Sequence, residues 1–405
     1  MGKLRIEGYE LRDVAVVQAP VAYTNHRGDV NPFVNICGRD NMYPVFVSPM
    51  ASVTDQNNYT KWIENGLTPV VPRSVQKSDE NPDGLTFEER MEIAKTTFVS
   101  VSLKEAQEEV LRYVKHNLDY FNVNDNTVFY ICIDIAHGTL TELYHICRVL
   151  KDRFGKHVII MTGNVANPKA YSFYADAGID WMRASVGSGS RCTSACNVSV
   201  HYPMATLLDQ LNEERKAYAH SHNGNAPTKI IADGGIGWFD DIQKSLALGA
   251  DAVMCGKIFA ECEEACEEIY WARSLEEAKD KTKRRYDTHN ENEVNLPGVN
   301  VQIDERGTNS LEELKLYMKP FIPFRDYYGM STKKAQRKTG GSGTTTSEGI
   351  DRPVAVKYPV KKWVENMEAY LRSCMTYTNS HTINELRENA QVIILGGSGD
   401  AAYRK

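Results

Sequence analysis

Two apolar runs joined by an amphipathic segment decide the fold: Lys229-Ile-Ile-Ala-Asp-Gly-Gly235, then a helix-like stretch at 238–249, then Asp251-Ala-Val-Met-Cys-Gly256. Each run is short and continuous rather than alternating, which is typical of a strand buried on both faces of a parallel sheet. A glycine turn follows each run. The stretch therefore predicts a strand, a helix and a second, parallel strand.

The same unit recurs along the chain. Helix-like segments lie between most of the apolar runs, at 55–66, 103–118, 139–154, 168–177, 201–219 and 238–249. Eight alternations without a dinucleotide-binding fingerprint predict an α/β protein with a (β/α)8 TIM-barrel fold, in one domain covering 1–405. The eight predicted strands are 44–48, 68–72, 97–102, 128–134, 157–161, 179–184, 229–233 and 251–255.

Composition narrows the class of protein. A hydrophobic content of 42% in 405 residues supports a substantial core, and a net charge of −6 argues against nucleic acid as a partner. No apolar stretch is long enough to span a membrane, and the N-terminus lacks the apolar core of a signal peptide. Nine cysteines, an odd number, fit a reducing compartment. These features predict a cytoplasmic protein.

Two segments do not follow the barrel pattern. Residues 260–320 are dense in charge, which predicts an exposed insertion after strand eight. Residues 331–349 end in a run of glycine, serine and threonine, which predicts a mobile loop beside the active site. Cysteine pairs such as Cys262 and Cys266 have no adjacent histidine to complete a ligand set, so we predict no metal site from them.

A further glycine turn, Gly187-Ser-Gly-Ser-Arg-Cys192, follows the sixth strand. Glycine permits positive φ, so successive N–H groups can converge on an anion. The same aligned N–H dipoles favour the thiolate of Cys192. A phosphate cradle beside a nucleophile indicates covalent chemistry on a phosphorylated metabolite. The turn taken alone is equally compatible with a structural cysteine.

Six motifs stand at strand ends or loops in a fixed order: Ser48-Pro-Met-Ala-Ser-Val-Thr54, Asp134-Ile-Ala-His-Gly138, Gly163-Asn-Val-Ala166, Gly187-Ser-Gly-Ser-Arg-Cys-Thr193, Ala232-Asp-Gly-Gly235 and Tyr327-Tyr-Gly-Met-Ser331. Together they resemble the motifs of the IMP dehydrogenase/GMP reductase family of (β/α)8-barrel enzymes. The resemblance covers most of residues 10–260 and 322–395.

The resemblance implies a role for each matched residue. Cys192 would attack C2 of a purine nucleoside monophosphate, and departure of hydride or ammonia would leave a thioimidate. Asp134, Asn164 and Arg183 would lie beside a nicotinamide cofactor. The resemblance also admits a potassium ion at Gly187, Gly189 and Cys192. The substrate would be bound by Ser48, Met50, Ser190, Asp233, Gly235, Gly256, Tyr328, Gly329 and Met330.

The direction of the reaction depends on a shorter stretch. Dehydrogenases of the family carry a long flap with an Arg-Tyr pair, whereas here Glu348-Gly349 follows Met330 closely and no such pair intervenes. Ser194 and Glu348 match the hydroxyl and carboxyl groups that serve the ammonia step in reductases. No pair of cystathionine-β-synthase domains is inserted after strand two. The chain is therefore most similar to GMP reductase, using NADPH.

Alternatives remain open. His137 is more typical of the dehydrogenases, which would convert IMP with NAD and water. A non-catalytic relative that binds purine nucleotides, whose segment 260–320 contacts a protein, is a third hypothesis. A flavin-dependent barrel is a more distant one. A deoxynucleotide substrate fits as well as a ribonucleotide. By analogy with the family, we expect a homotetramer.

Overall fold

The computed structural model describes residues 7–78, 81–120, 126–188, 197–288, 321–329, 332 and 351–396. Its strands in chain order are β1 Val14–Val17, β2 Val34–Ile36, β3 Arg39–Met42, β4 Val45–Val47, β5 Thr68–Val71, β6 Phe98–Val101, β7 Phe129–Asp134, β8 Val158–Val165, β9 Trp181–Ala184, β10 Lys229–Asp233, β11 Ala252–Cys255, β12 Tyr270–Ala272, β13 Ile322–Tyr327, β14 Arg352–Ala355 and β15 Gln391–Ile394.

The helices of the described residues lie mainly between these strands. They are α1 Tyr59–Glu64, α2 Phe87–Ile93, α3 Leu103–Glu105, α4 Leu111–Tyr120, α5 Thr141–Phe154, α6 Ala170–Asp176, α7 Met204–Ser221, α8 Phe239–Ala247, α9 Lys257–Ala260, α10 Leu275–Thr288, α11 Val360–Tyr377 and α12 Ile383–Asn389.

Strands β4 to β11 form a closed parallel barrel, and this confirms the predicted (β/α)8 fold. Each predicted strand lies in it, in the predicted order. The closing pair joins β11 to β4, with Val253 opposite Val45. Apolar side chains fill the interior, where Phe46 packs edge-on against Phe98 and Trp181. Continuous apolar runs form these strands because both faces are buried, one against the interior and one against the helices.

Several elements differ from the predictions. Strand β8 continues to Val165, beyond the predicted end at 161, because it keeps pairing with β9 across a register shift near Asn164. Helix α2 was not predicted, although Thr86 and Glu89 form a capping box at its start. The helix predicted at 103–118 is broken into α3 and α4 by a π-helical turn at Ala106–Val110.

A hairpin closes one end of the barrel. Strands β2 and β3 pair antiparallel directly before β4. Ile36 and Met42 of this hairpin join the cluster of apolar side chains inside the barrel. The hairpin covers the amino ends of the barrel strands, so the carboxyl ends are the open face on which barrel enzymes build their sites.

A three-stranded antiparallel sheet lies outside the barrel, in the order β12, β13, β14. Strand β12 and helix α10 belong to the segment 260–320 that we predicted as an insertion, and residues 289–320 lie outside the described residues. The predicted mobile loop at 331–349 also lies outside them, except for Thr332. Both domain assignments therefore stay predictions.

The two ends of the chain meet on one side of the barrel. Strand β1 pairs antiparallel with β15, and helix α11 bonds the N-terminal segment through Ala19 N–H to Tyr377 O at 2.9 Å. Among the described residues, no helix is both long and apolar enough to cross a membrane.

Candidate active site

Four polar side chains meet at the carboxyl ends of four neighbouring barrel strands. Arg183 Nη1 donates to Asp134 Oδ1 at 2.7 Å, and Arg183 Nε donates to Asp233 Oδ2 at 2.9 Å. Asn164 Nδ2 donates to the same Asp233 oxygen at 2.7 Å. Because β7, β8, β9 and β10 are adjacent, strand ends far apart in sequence form one connected network. The predicted cofactor residues and the predicted substrate residue Asp233 are thus brought together.

Arg183 is the centre of this network and is buried, with 9% of its side chain exposed. Burial alone would lower the pKa of Arg183, but the carboxylates of Asp233 and Asp134 raise it well above its ordinary value. The guanidinium is therefore permanently charged and holds both carboxylates in place. Both side-chain hydrogen bonds to Asp233 are accepted by Oδ2, and no donor among the described residues lies within hydrogen-bond distance of Oδ1. Oδ1 can therefore accept a hydrogen bond from a hydroxyl group of a ligand.

Glycine is required where strand β8 passes β9. A Cβ atom on Gly163 would lie 2.5 Å from the carbonyl oxygen of Arg183 and 2.6 Å from its Cβ. Gly138, after β7, is equally confined, and its N–H donates to Asn164 O at 3.1 Å. These contacts let the backbone of β8 approach β9 closely enough for Asn164 to reach Asp233.

The glycine turns after β9 and β10 lie side by side. Gly187, Gly234 and Gly235 have φ values of 80°, 102° and 77°, in the left-handed region that glycine adopts readily. A Cβ atom on Gly235 would lie 3.5 Å from Ser188 O, so the two turns are in contact. The turn that leads to Cys192 therefore begins next to Asp233 and Gly235.

A second group of predicted substrate residues meets at the ends of β4 and β11. Ser48 N–H donates to Cys255 O at 3.0 Å. A Cβ atom on Gly256 would lie 2.7 Å from Met50 Sδ and 2.6 Å from the hydroxyl of Tyr327. Tyr327 itself donates to Met50 Sδ at 3.3 Å. Ser48, Met50 and Gly256 are thus neighbours, and Tyr327 lies among them.

Sequence reasoning missed Tyr327 and chose its neighbour Tyr328. The ring of Tyr328 is fully buried and its hydroxyl donates to Glu267 Oε2 at 2.8 Å. Burial raises the pKa of Tyr328 well above its ordinary value, and Glu267 raises it further. A phosphate role for Tyr328 stays a prediction, while the hydroxyl beside Gly256 belongs to Tyr327. The signal was the strand itself, because β13 ends at Tyr327 and Tyr328 follows it, and side chains adjacent in an extended chain point to opposite sides.

The turn after β13 is described as far as Gly329, whose carbonyl accepts from Thr332 N–H at 3.1 Å. Exposed His137 follows β7, and its Nδ1 lies 3.3 Å from Thr139 Oγ1. In the described part of the chain, no three histidine, cysteine or acidic side chains form a metal-binding group. The predicted site residues that lie outside the described residues are Gly189, Ser190, Cys192, Ser194, Met330 and Glu348.

The fold and the site define a (β/α)8-barrel protein with glycine turns and fixed carboxylates at the carboxyl face. The family model for the IMP dehydrogenase / GMP reductase domain matches residues 112–311 and 313–402. The chain belongs to this family.

Individual relatives agree with that assignment. The chain is 29% identical over 271 residues to the inosine-5'-monophosphate dehydrogenase of Streptococcus pyogenes, covering 66% of this chain and 45% of the relative. It is 28% identical over 269 residues to the protein of the same name from Chlorobaculum tepidum, covering 66% and 46%. The match thus spans a little under half the length of these relatives.

Proposed function

We propose that the chain is a purine-nucleotide oxidoreductase that converts GMP to IMP and ammonia with NADPH, through a covalent intermediate on Cys192. The observation that carries the proposal is the Asp233 carboxylate. It is held on Oδ2 by Arg183 and Asn164, and it stands beside the glycine turn that leads to Cys192. A carboxylate can accept hydrogen bonds from the hydroxyls of a nucleotide sugar, and glycine N–H groups beside it can donate to the phosphate.

The remaining residues proposed to contact the substrate lie on the same carboxyl face of the barrel or follow its strands in the chain. Asp233 Oδ1 would accept a sugar hydroxyl, while the N–H groups of Gly235 and Gly256 would donate to phosphate, together with Ser190. The Tyr327 hydroxyl lies beside Gly256 and donates to Met50 Sδ, so it would hold the Met50 side chain in place. Met50 would lie against the base, together with Met330, because a thioether packs well against an aromatic ring. Ser48, Tyr328 and Gly329 complete the proposed substrate set.

A nicotinamide cofactor fits the other side of Arg183. Asp134 offers a carboxylate, whose side chain is 13% exposed, and Asn164 offers an amide. Both are groups that bond the hydroxyls and carboxamide of a nicotinamide ribonucleoside. When bound, the cofactor supplies the hydride. Arg183 keeps Asp134 and Asp233 adjacent, so the cofactor and the nucleotide would lie side by side.

Cys192 would divide the substitution at C2 into two steps. Its thiolate adds to C2 of the purine and forms a C–S bond. The C2–N bond to the exocyclic amine then breaks, and the amine leaves as ammonia after taking a proton from the pair Ser194 and Glu348. With the hydride that the bound cofactor would supply to C2, breakage of the C–S bond would return the Cys192 thiolate and release IMP.

Two features bear on the direction of the reaction. The short stretch between Met330 and Glu348 holds no tyrosine, and so lacks the Arg-Tyr pair that would activate water, which favours the reductase. IMP dehydrogenase is the second candidate, because the relatives carry that name and because His137 stands in Asp134-Ile-Ala-His-Gly138. It would use IMP, NAD and water. A homotetramer is proposed for either enzyme, and a mass measurement in solution tests it.

The deciding experiment follows absorbance at 340 nm with GMP plus NADPH and, separately, with IMP plus NAD. We expect loss of absorbance with GMP and release of ammonia, abolished in C192A while nucleotide binding remains. A rise with IMP would make the chain a dehydrogenase. Binding of nucleotide with no turnover in either mixture would identify a non-catalytic relative. Repeating the binding measurement with dGMP tests whether Asp233 requires the 2′-hydroxyl.

A further inference from the structure

His201 contacts two parts of the chain at once. Its Nδ1 lies 3.0 Å from Val186 O, and its Nε2 lies 2.8 Å from Glu10 Oε1. A carbonyl oxygen and a carboxylate oxygen are both acceptors, so each ring nitrogen of His201 lies within hydrogen-bond distance of an acceptor. An asparagine or glutamine side chain could not reach both partners, because its two donor hydrogens share one nitrogen.

The two contacts fall at the ends of one chain segment. Val186 opens the turn that contains Gly187, and His201 closes the stretch that follows it. The segment between them carries Cys192. The bond from His201 to Val186 therefore ties together the entry and the exit of this segment, whatever path the residues between them take.

Glu10 fixes these tied ends to the N-terminal strap, which we define as residues 8–13. The other oxygen of Glu10, Oε2, accepts from Met204 N–H at 3.1 Å, at the start of α7. Two further bonds join Tyr9 to Thr206, at 2.7 Å and 3.2 Å. The strap is thus held along its length against the chain that leaves the segment.

We propose that His201 is a positioning residue, which holds the base of the segment carrying Cys192 against the N-terminal strap through Val186 and Glu10. The effect on catalysis rests on the proposed function, since it takes Cys192 as the nucleophile. The anchoring of the segment by His201 does not rest on it, because it depends only on the contacts with Val186 and Glu10. A nucleophile must be held within a fraction of an ångström of its productive position, and that accuracy depends on how firmly its segment is anchored.

The test uses the full chain and two readouts. Hydrogen exchange measured by mass spectrometry should be at least about fivefold faster at 186–188 and 197–200 in H201A and in E10A, because an opened hydrogen bond exposes neighbouring amides. The kcat value should fall by about three- to tenfold with the KM values for nucleotide and cofactor nearly unchanged. E10Q keeps one oxygen to accept from His201 but turns its NH2 group toward the Met204 N–H, so its kcat should lie between those of E10A and wild type.

A matched control is His222→Ala. His222 follows the last residue of α7 and stacks on Tyr218 with ring centroids 3.9 Å apart, so this variant removes a ring from the opposite end of the same helix. It should change neither readout. The double variant E10A/H201A should lose less kcat than the product of the two single losses, since the two side chains share one contact.

Unchanged exchange at 186–188 and 197–200 in H201A would overturn the inference. Faster exchange with an unchanged kcat would overturn the positioning role. If the wild-type chain turns over neither nucleotide mixture, the proposed function fails, and the exchange measurement alone decides whether His201 anchors the segment.

Discussion

At the scale of single residues, Arg183 is the side chain on which the site depends most. Removing it would leave Asp134 and Asp233, with 13% and 11% of their side chains exposed, as uncompensated carboxylates. We expect R183A to lower the free energy of unfolding by about 3–5 kcal/mol, measured by urea denaturation. R183K should fall between wild type and R183A, since lysine keeps the charge but cannot fork between two carboxylates. Equal stability of all three proteins would contradict this view of the network.

Gly163 and Gly256 allow two effects to be measured separately, since we expect Gly163 to be required for folding and Gly256 for nucleotide binding. In G163A the new Cβ meets the backbone of Arg183, which cannot yield, so we expect a loss of more than about 3 kcal/mol of stability. In G256A it meets the ends of two side chains, Tyr327 and Met50, which can move. That variant should fold with a near-normal melting temperature and bind nucleotide at least about tenfold more weakly, as measured by calorimetry. G396A is the control, because its Cβ atom would meet no atom of the described residues within 4 Å.

The meeting of side chains at one face could be predicted where it depended on strand ends. Asp134, Asn164 and Asp233 each close an apolar run, and parallel strands bring such ends to one face. The partners of Arg183 could not be predicted, because its contacts with Asp233 and Asp134 join residues 50 and 49 positions apart in the chain. Tyr327 was missed for a different reason. Strand β13 was not recognised, and without it nothing indicates which of two adjacent tyrosines faces Gly256.

At the scale of elements, one buried ion pair joins α2 to α3. Arg90, 1% exposed, donates to Glu105, 8% exposed, which also accepts from Ser102 N–H at 2.6 Å. Burial raises the pKa of Glu105, but Arg90 and the bonds from Ser102 outweigh it and lower the pKa below its ordinary value. We expect E105A to cost about 3–5 kcal/mol, because it leaves Arg90 buried without its partner, and E105Q to cost less.

The pH dependence of that pair has a definite sign. A carboxyl group whose pKa is lower in the folded state stabilises the fold above its unfolded pKa, about 4.3 for glutamate. That contribution is lost as the pH falls through the lower folded value. Urea denaturation at pH 7, 5 and 3 should therefore give a difference between wild type and E105Q that is full at pH 7 and 5 and smaller at pH 3. A constant difference would mean that the charge of Glu105 contributes nothing.

The element boundaries illustrate the limits of local patterns. Helix α2 is only two turns long and carries Arg90 on its buried face, so its pattern of apolar residues is too weak to predict it. The end of β8 was placed too early because its last residues include Gly163 and Asn164, which usually end strands. Pairing with β7 and β9 on both sides overrides that local preference.

At the scale of the whole molecule, the barrel was predictable because eight buried parallel strands leave a strong repeated signal. The additions to the barrel were not. Strands β1 and β15 lie near opposite ends of the chain and pair with Val16 opposite Val392. The sequence of neither strand indicates which strand it pairs with. The sheet of β12, β13 and β14 likewise joins residues on both sides of the segment 289–320.

The pairing of the two chain ends leads to a final prediction. Strand β15 is largely exposed, with Ile393 and Ile394 each more than half exposed, so its loss removes backbone bonds but little apolar burial. Deleting residues 391–405 should lower the free energy of unfolding by about 2–4 kcal/mol, while the barrel, which does not include β15, keeps its circular dichroism spectrum.

The N-terminal strap should also become less firmly held by this deletion, because Leu395 N–H donates to Asp13 O at 2.7 Å. Hydrogen exchange at 197–200 should therefore become faster, whereas a chain ending at Gly396 should match wild type.

If deleting 391–405 abolished folding, the sheet of β1 and β15 would be required for the cooperative folding of the barrel. It would then not be an addition that only stabilises a barrel able to fold without it.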